Sequence, residues 1–474
     1  MKRYLIFLLF FLISSSAFAR VAPPHNISFE DSAIQSYTSE YFLTEKYDRQ
    51  IPVISEYNPE ENLDLFNKNR FGFLRYTKDG TELRCNLFTG LTSYQQKTNE
   101  HNFAYYGAET TLNMDNKLLL WSYWWNTHFD EDPKLINDPI KDGWTHYEKM
   151  ILNFAGKLRY VGNYGHIDVG RGKEQIGSNI GSSIILNDAC NDYGYFHYKL
   201  KIGQKFNSSI THLSLVSDSL NADGIYDEKF LAIHKMQWIP NSRFRMFFGQ
   251  MVVYGNRGIE VNYLFPLPFY MLIEHNLRDR DNVLMFGGLN FEFGKTTLYG
   301  NLLIDELKVK EVFGNWWGNK YAVQTGVAHQ WYPKLRSVLE FSAVRPWLYT
   351  HKYLVNKLSN DGVSLGHEEG SNLIQAAFEL NWRVLENFNF DFFTSLTKQG
   401  SHANQFYYNY NDIQSQTNDT ADWLQGEITN KLKLKPVFTY KYNKMHKIKL
   451  GAEFIRINEE FENPSVFINY QFTY

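Results

Sequence analysis

The chain closes on Val466-Phe467-Ile468-Asn469-Tyr470-Gln471-Phe472-Thr473-Tyr474. Val466, Ile468, Tyr470, Phe472 and Tyr474 form one set, and Phe467, Asn469, Gln471 and Thr473 alternate with them. A period of two is the signature of a β-strand. The same text recurs upstream. From Ile428 to Tyr442, Leu432, Leu434, Phe438, Tyr440 and Tyr442 share a face, and Lys431, Lys433, Lys435 and Lys441 lie on the other. Ile448, Leu450 and Phe454 alternate with Lys447, Lys449 and Glu453. Ile374, Ala376, Phe378, Leu380 and Trp382 alternate with Gln375, Glu379, Asn381 and Arg383. A lysine-rich face behind an aromatic one suits a wall between water and lipid. A soluble sandwich also alternates, so alternation alone does not choose.

Composition narrows the class. The 474 residues include 37 Phe, 32 Tyr and 11 Trp, 17% of the chain, which excludes a disordered polymer. Basic and acidic residues nearly cancel, 48 against 51, so nucleic acid is not an expected partner. Lys2 and Arg3, the apolar run Tyr4 to Ile13, and Ala17-Phe18-Ala19 read as a secretory signal peptide over residues 1–19. Beyond it no apolar run is long enough for a spanning helix, which needs about 18 residues. An exported β-rich chain leaves two classes, a soluble protein or an outer-membrane barrel. Cys85 and Cys190 could pair in an oxidising compartment or stay as two isolated small residues.

Connection lengths choose between the classes. Candidate strands run from 82–95 through 282–293, 320–332, 335–351 and 446–457 to 465–474, eighteen in all, although sixteen also fits the boundaries. Their connections alternate in length, except that 96–100 and 458–464 fall on the long side but are short. Asp115-Asn116, Val161-Gly162, Asn207-Ser208, Gly294-Lys295 and Pro333-Lys334 are short; 130–147, 172–192, 254–281, 306–319, 352–371 and 398–426 are long. Short periplasmic turns alternating with long external loops are the pattern of an outer-membrane β-barrel. The expected fold is therefore an all-β transmembrane antiparallel barrel over residues 82–474. The aromatic carboxy-terminal strand resembles the closing strand by which barrel-assembly machinery recognises such chains. Residues 20–81 read as a periplasmic or lumen-associated segment, within which Arg70 to Tyr76 could add a strand but would make the count odd.

Chemistry is searched for next. The histidines are scattered and no Gly-x-Ser-x-Gly elbow occurs, so neither an enzyme nor a catalytic residue is expected. No zinc-type spacing occurs, and no metal or cofactor is expected. Three external constellations stand out. One holds Arg257, Glu274, His275, Arg280 and Asp281 beside the apolar stretch from Leu264 to Tyr270. Another is Trp316-Trp317-Gly318-Asn319-Lys320-Tyr321. The last holds Arg345, Trp347, Tyr349 and His351. Rings beside Arg, Asp, Asn and Glu suit sugars, whose apolar faces stack while their hydroxyls take hydrogen bonds. An aromatic girdle with packed loops gives the same text. The row Lys431, Lys433, Lys435, Lys441, Lys447 and Lys449 would make a lumen attractive to anions, or would pair with acids of neighbouring strands.

Between residues 165 and 355 these motifs resemble, in order and spacing, the Wzi family of capsule-assembly outer-membrane proteins. The carriers are Tyr254-Gly255-Asn256-Arg257-Gly258-Ile259-Glu260, Glu274-His275-Asn276, Arg280-Asp281-Asn282, Leu302-Leu303-Ile304-Asp305-Glu306, Trp317-Gly318-Asn319-Lys320-Tyr321 and Arg345-Pro346 with Tyr349-Thr350-His351. The resemblance implies a monomeric barrel of about eighteen strands with a periplasmic helical portion. It implies a lectin-like protein of the cell outer membrane that binds capsular polysaccharide and helps attach or assemble the capsule. From the chemistry of the loops, rather than from the family, the glycan-binding residues are expected among Arg257, Glu274, His275, Arg280, Asp281, Trp317, Asn319, Lys320, Arg345, Tyr349 and His351. The lysine row supports the competing expectation, a porin for anionic solutes.

Overall fold

The computed structural model describes residues 74–473, apart from 79, 97–98, 130–149, 191, 221–223, 266–268, 313, 405–419 and 443–444. The signal peptide, residues 20–73, the helical portion that the resemblance implies and Tyr474 lie outside the described residues. Eighteen spanning strands form one closed antiparallel barrel. They are β2 (Thr81–Gln96), β3 (Asn99–Met114), β4 (Leu118–Phe129), β5 (Met150–Gly162), β6 (Gly165–Gly172), β7 (Tyr193–Ile202), β8 (Phe206–Leu220), β9 (Tyr226–Asn241), β10 (Phe244–Gly255), β11 (Asn282–Phe293), β12 (Thr296–Glu306), β13 (Lys320–Tyr332), β14 (Leu335–Val344), β17 (Leu373–Leu385), β18 (Phe388–Gly400), β19 (Ile428–Lys441), β20 (His446–Ile457) and β22 (Ser465–Thr473). Short strands lie between them: β15 (Ser359–Asn360) pairs with β16 (Val363–Ser364), and β21 (Glu460–Phe461) folds back to pair with the end of β20.

The seam joins β22 to β2, from Phe88 opposite Thr473 to Gln96 opposite Ser465. The strand suggested at Arg70–Tyr76 lies outside the described residues up to residue 73; from Leu74 it belongs to β1 (Leu74–Lys78). It does not make the spanning count odd. It takes the other half of the same edge of β2, from Leu74 opposite Cys85 to Lys78 opposite Thr81. The strand expected over 335–351 ends at Val344, because Arg345 to Thr350 turn into the barrel mouth, with Trp347 and Tyr349 at positive φ.

The faces are inverted relative to a soluble protein. On β22, Val466 and Ile468 are 42% and 50% exposed, whereas Asn469 and Gln471 are 4% and 8% exposed. Leu289, Leu339, Leu396 and Leu450 likewise face outward, while Asn290, Gln324, Glu340 and Lys449 are buried within. Lipid provides no hydrogen bonds, so the outer face can be apolar and the backbone must be satisfied within the sheet.

Two segments occupy the lumen. After β6 the chain from Lys173 to Asp192 turns inward, and Ile184, Ile185 and Leu186 become fully buried. The segment Arg345–Asn372 joins it: Asn187 N–H donates to the Leu365 carbonyl at 2.7 Å, and Tyr349 hydroxyl to that of Ile184 at 3.0 Å. The wall grips this plug from several strands. Ser178 Oγ lies 2.9 Å from Asn290 Oδ1, Asn301 donates to Ser178 O at 2.8 Å, and Gln324 donates to Ser182 O at 2.8 Å. Ile180 N–H donates to Glu340 at 3.0 Å, and Lys229 to Ser359 Oγ at 2.8 Å. Asn290 sits near the periplasmic turn Gly294–Lys295, so the plug reaches deep. This wall also carries the apolar inward residues Leu231, Met251, Leu284 and Phe286, which the plug covers. Cys85 on β2 and Cys190 in the plug are both free thiols.

Leu339 stands near the middle of β14 on the lipid face. Leu339→Arg should cost about 2–4 kcal/mol in a bilayer, the range for a mid-membrane cation on a barrel wall. Urea titration of the folded protein in vesicles measures it, with Leu339→Ile as the control.

Candidate functional site

Arg345 organises the external end. It follows the last residue of β14, and its buried guanidinium donates to three loop carbonyls: Asn319 O at 3.1 Å, Trp316 O at 3.4 Å and Ala421 O at 2.9 Å. Its Cζ also lies 5.2 Å from the centre of the Trp423 ring. One planar fork thus joins the segments after β12, β14 and β18. Burial lowers its pKa from the usual guanidinium value, and the carbonyl partners compensate for lost hydration. Asn319, fully buried, holds the adjoining turn by donating to Glu311 O at 2.6 Å and accepting from Lys308 N–H at 3.0 Å. Trp317 packs with Trp347, Ala403 and Ala421. Lys320 is buried 3.4 Å from both Asp305 and Glu306. Tyr349 stands on the plug, and its hydroxyl oxygen also accepts from His367 N–H at 3.2 Å.

Arg257 and Asp281 meet at the neck of the β10–β11 connection. The guanidinium grips the carboxylate through two hydrogen bonds, of 2.9 and 2.5 Å, and Tyr263 adds a third at 2.7 Å. Glu274 is buried on helix α1 (Tyr270–Asn276), whereas His275 and Arg280 are exposed. His351 is half-buried; burial and the nearby Lys320 and Lys352 push its pKa down to about 3.

Of the sequence-predicted residues, Trp317, Asn319, Lys320, Arg345, Tyr349, Arg257 and Asp281 brace loops from within, Glu274 is buried under α1, His351 is half-buried, and His275 and Arg280 stand on the surface. The braces carry an exposed platform that the sequence reading did not single out. Trp423 is 37% exposed, with Tyr321 edge-on at 6.1 Å. Beside it Asn315 Nδ2 donates to Asp422 Oδ1 at 3.2 Å, and Lys308 Nζ lies 5.4 Å from the Trp316 ring centre. The only signal for it was an Asp-Trp pair inside a long loop.

The lysine row faces the lumen, and its members differ. Lys431 binds both oxygens of Glu369, at 2.7 and 2.9 Å, and holds that carboxylate below its usual pKa against the effect of burial. Glu369 belongs to the plug. Lys433 pairs with Glu453 of the neighbouring strand at 3.1 Å. Lys435, Lys447 and Lys449 line the lumen closer to the periplasmic turn, and Lys441 is exposed at the end of β19.

Among the described residues, two groups have donor atoms of three side chains within 4.8 Å: His166, Asp168 and His197 in the lumen, and Glu274, His275 and Asp279 outside. In the first, Arg159 already takes both Asp168 oxygens at 2.5 Å, and a guanidinium at that position opposes a cation. In the second, Glu274 has its pKa raised to about 7, by burial first and the Asp279 carboxylate next. A carboxyl whose folded pKa is raised stabilises the fold below its unfolded pKa and loses that contribution as pH rises through 7. Glu274→Gln should therefore flatten the fall in thermal stability between about pH 4.5 and 7, and differential scanning calorimetry across that range checks it.

No family model and no curated protein matches the chain. Solved structures do. Wzi of Escherichia coli, described as a carbohydrate-binding β-barrel involved in group 1 capsule assembly, aligns with a TM-score of 0.53 at 10% identity, over 81% of this chain and 83% of its own. Pseudomonas aeruginosa OpdK, solved with vanillate, aligns at 0.50 and 7% identity, over 83% of this chain and 98% of its own. Acinetobacter baumannii OccAB4 gives 0.48 at 8% identity. Such identities speak to fold alone, and proteins of different function share it. What fold, inverted faces and neighbours establish together is that the chain is an outer-membrane β-barrel.

Proposed function

We propose that this barrel is a non-enzymatic, monomeric lectin that holds a capsular or other surface polysaccharide at its external mouth. The observation that carries the reading is the exposed Trp423 ring beside the Asn315–Asp422 amide–carboxylate pair, braced from below by Arg345. An indole face offers a sugar ring an apolar surface, and the adjacent carboxylate and amide accept and donate to its hydroxyls. Arg345, Asn319, Trp317 and Tyr349 act as positioning residues. The plug supports this reading, since a binding protein needs a rigid floor rather than an open pore. The Wzi likeness agrees with it, as does the family resemblance of the motifs.

A second reading, a channel for anions, is favoured by Lys435, Lys447 and Lys449 along the lumen wall. The two readings separate in one pair of measurements. Binding of surface polysaccharide from the source cells to purified protein should fall about tenfold in Trp423→Ala, on the order of 1.4 kcal/mol. Conductance in planar bilayers should stay near baseline. Unchanged binding together with steady anion-selective conductance would replace the lectin reading with the channel.

A further inference from the structure

The described pieces of the β10–β11 connection lie against the outside of the barrel. Inward positions of β10 are Phe247, Met251 and Val253, which touch the plug. Phe248, Gln250, Val252 and Tyr254 therefore face outward. On β9 the outward set is Phe230, Ala232 and His234, and on β8 it is Ser208, Ile210 and His212. Ala232, Val252, Tyr254 and His234 are nevertheless completely buried.

Their cover comes from two described pieces of the connection, Asn256–Phe265 and Phe269–Asp281. Tyr263 and Tyr270 pack with Tyr254, Val252 and Ala232 in a core separate from the lumen. Tyr263 lies 5.3 Å from the Tyr254 ring and 5.4 Å from that of Tyr270. His212 Nε2 lies 2.8 Å from the Tyr254 hydroxyl, and Ser208 Oγ lies 3.1 Å from His234 Nε2. Two histidines on a lipid-facing wall would lose hydration without replacement; here they are roofed and partnered.

The outer side of this cover is apolar too. On α1, Tyr270, Ile273, Glu274 and Leu277 follow the i, i+3, i+4, i+7 spacing of the inner stripe. On the opposite side of its first turn Met271 is 47% and Leu272 60% exposed, with Phe269 next to them; His275 and Asn276, exposed on the last turn, lead to the polar rim. A first turn apolar on both sides fits lipid better than water. Its level agrees: Met271 N–H donates to Gln250 at 3.4 Å, and Gln250 pairs with Met285, an exposed member of the lipid-facing belt. The apolar patch is thus continuous with the membrane surface of the barrel. Arg278 and Arg280 are exposed at its rim, and Lys352 Nζ donates to Asp279 O there, placing cations where lipid phosphates would lie.

We propose that these two pieces form a flap immersed in the outer leaflet, with Phe269, Met271 and Leu272 among acyl chains and Arg278 and Arg280 at anionic headgroups. The partner is the lipid itself, and this inference is independent of glycan binding. The test is spin labelling of Leu272→Cys and, separately, Met271→Cys in full-length protein carrying Cys85→Ser and Cys190→Ser. The protein is reconstituted in phosphatidylethanolamine–phosphatidylglycerol vesicles. Collisions with oxygen and with a water-soluble nickel chelate are compared with two references, lipid-facing Leu289→Cys and Val309→Cys in the external β12–β13 connection, where Val309 is 79% exposed. Oxygen should exceed the chelate several-fold at 271 and 272, as at 289. Chelate-dominated relaxation at both, as at 309, overturns the flap.

Discussion

A backbone that crosses hydrocarbon has no water to bond with, and everything else in this molecule follows from that constraint. A helix would satisfy it, but no helix among the described residues is long and apolar enough to cross a membrane. The chain instead satisfies it between strands, which requires that the last strand find the first. Once the sheet is closed, its two faces meet different solvents. Lipid takes Val466, Ile468 and their equivalents, and the interior must then accommodate the polar half of every strand.

That interior is too wide for its side chains to fill alone. The plug answers with two chemistries. Where it is apolar, through Ile184 to Leu186 and Leu365, the wall opposite is apolar as well. Where its backbone would be left unbonded, wall amides and carboxylates reach it, as Gln324 and Glu340 do at Ser182 and Ile180. The buried charge pair of Lys431 with Glu369 joins plug and wall at a further point, from the side where the lysines gather.

The strands were legible because each carries its own period and the turns between them are short. Strands over 282–293, 320–332 and 446–457 coincide with the observed elements residue for residue. The loops were legible only as chemistry. Arg345, Asn319 and Trp317 stood out as unusual residue types, but sequence cannot say whether an arginine offers its fork to a ligand or to three carbonyls of its own chain. Trp423 carried little signal because its setting is assembled from segments about a hundred residues apart. The strand expected over 335–351 overran for a related reason: Trp347 and Tyr349 continue the alternation of β14, although their backbone has left the sheet. The cover over β8–β10 was the least legible, since an apolar loop reads alike whether it faces the plug, the solvent or the membrane.

The seam on β2 has a mechanical meaning. β2 has 16 residues and β22 has 9, so β22 alone would leave part of that edge bare. β1 takes Thr81 to Cys85 of the remainder, so the head of one strand faces the tail of the other across Asn86 and Leu87 of a shared neighbour. A register slip that carried β22 more than two residues toward the periplasmic end would run into Leu74, already seated opposite Cys85. β1 and β22 thus act as a buffer stop for each other, so the slip of the cylinder's seam is bounded by a shared edge as well as by side-chain pattern.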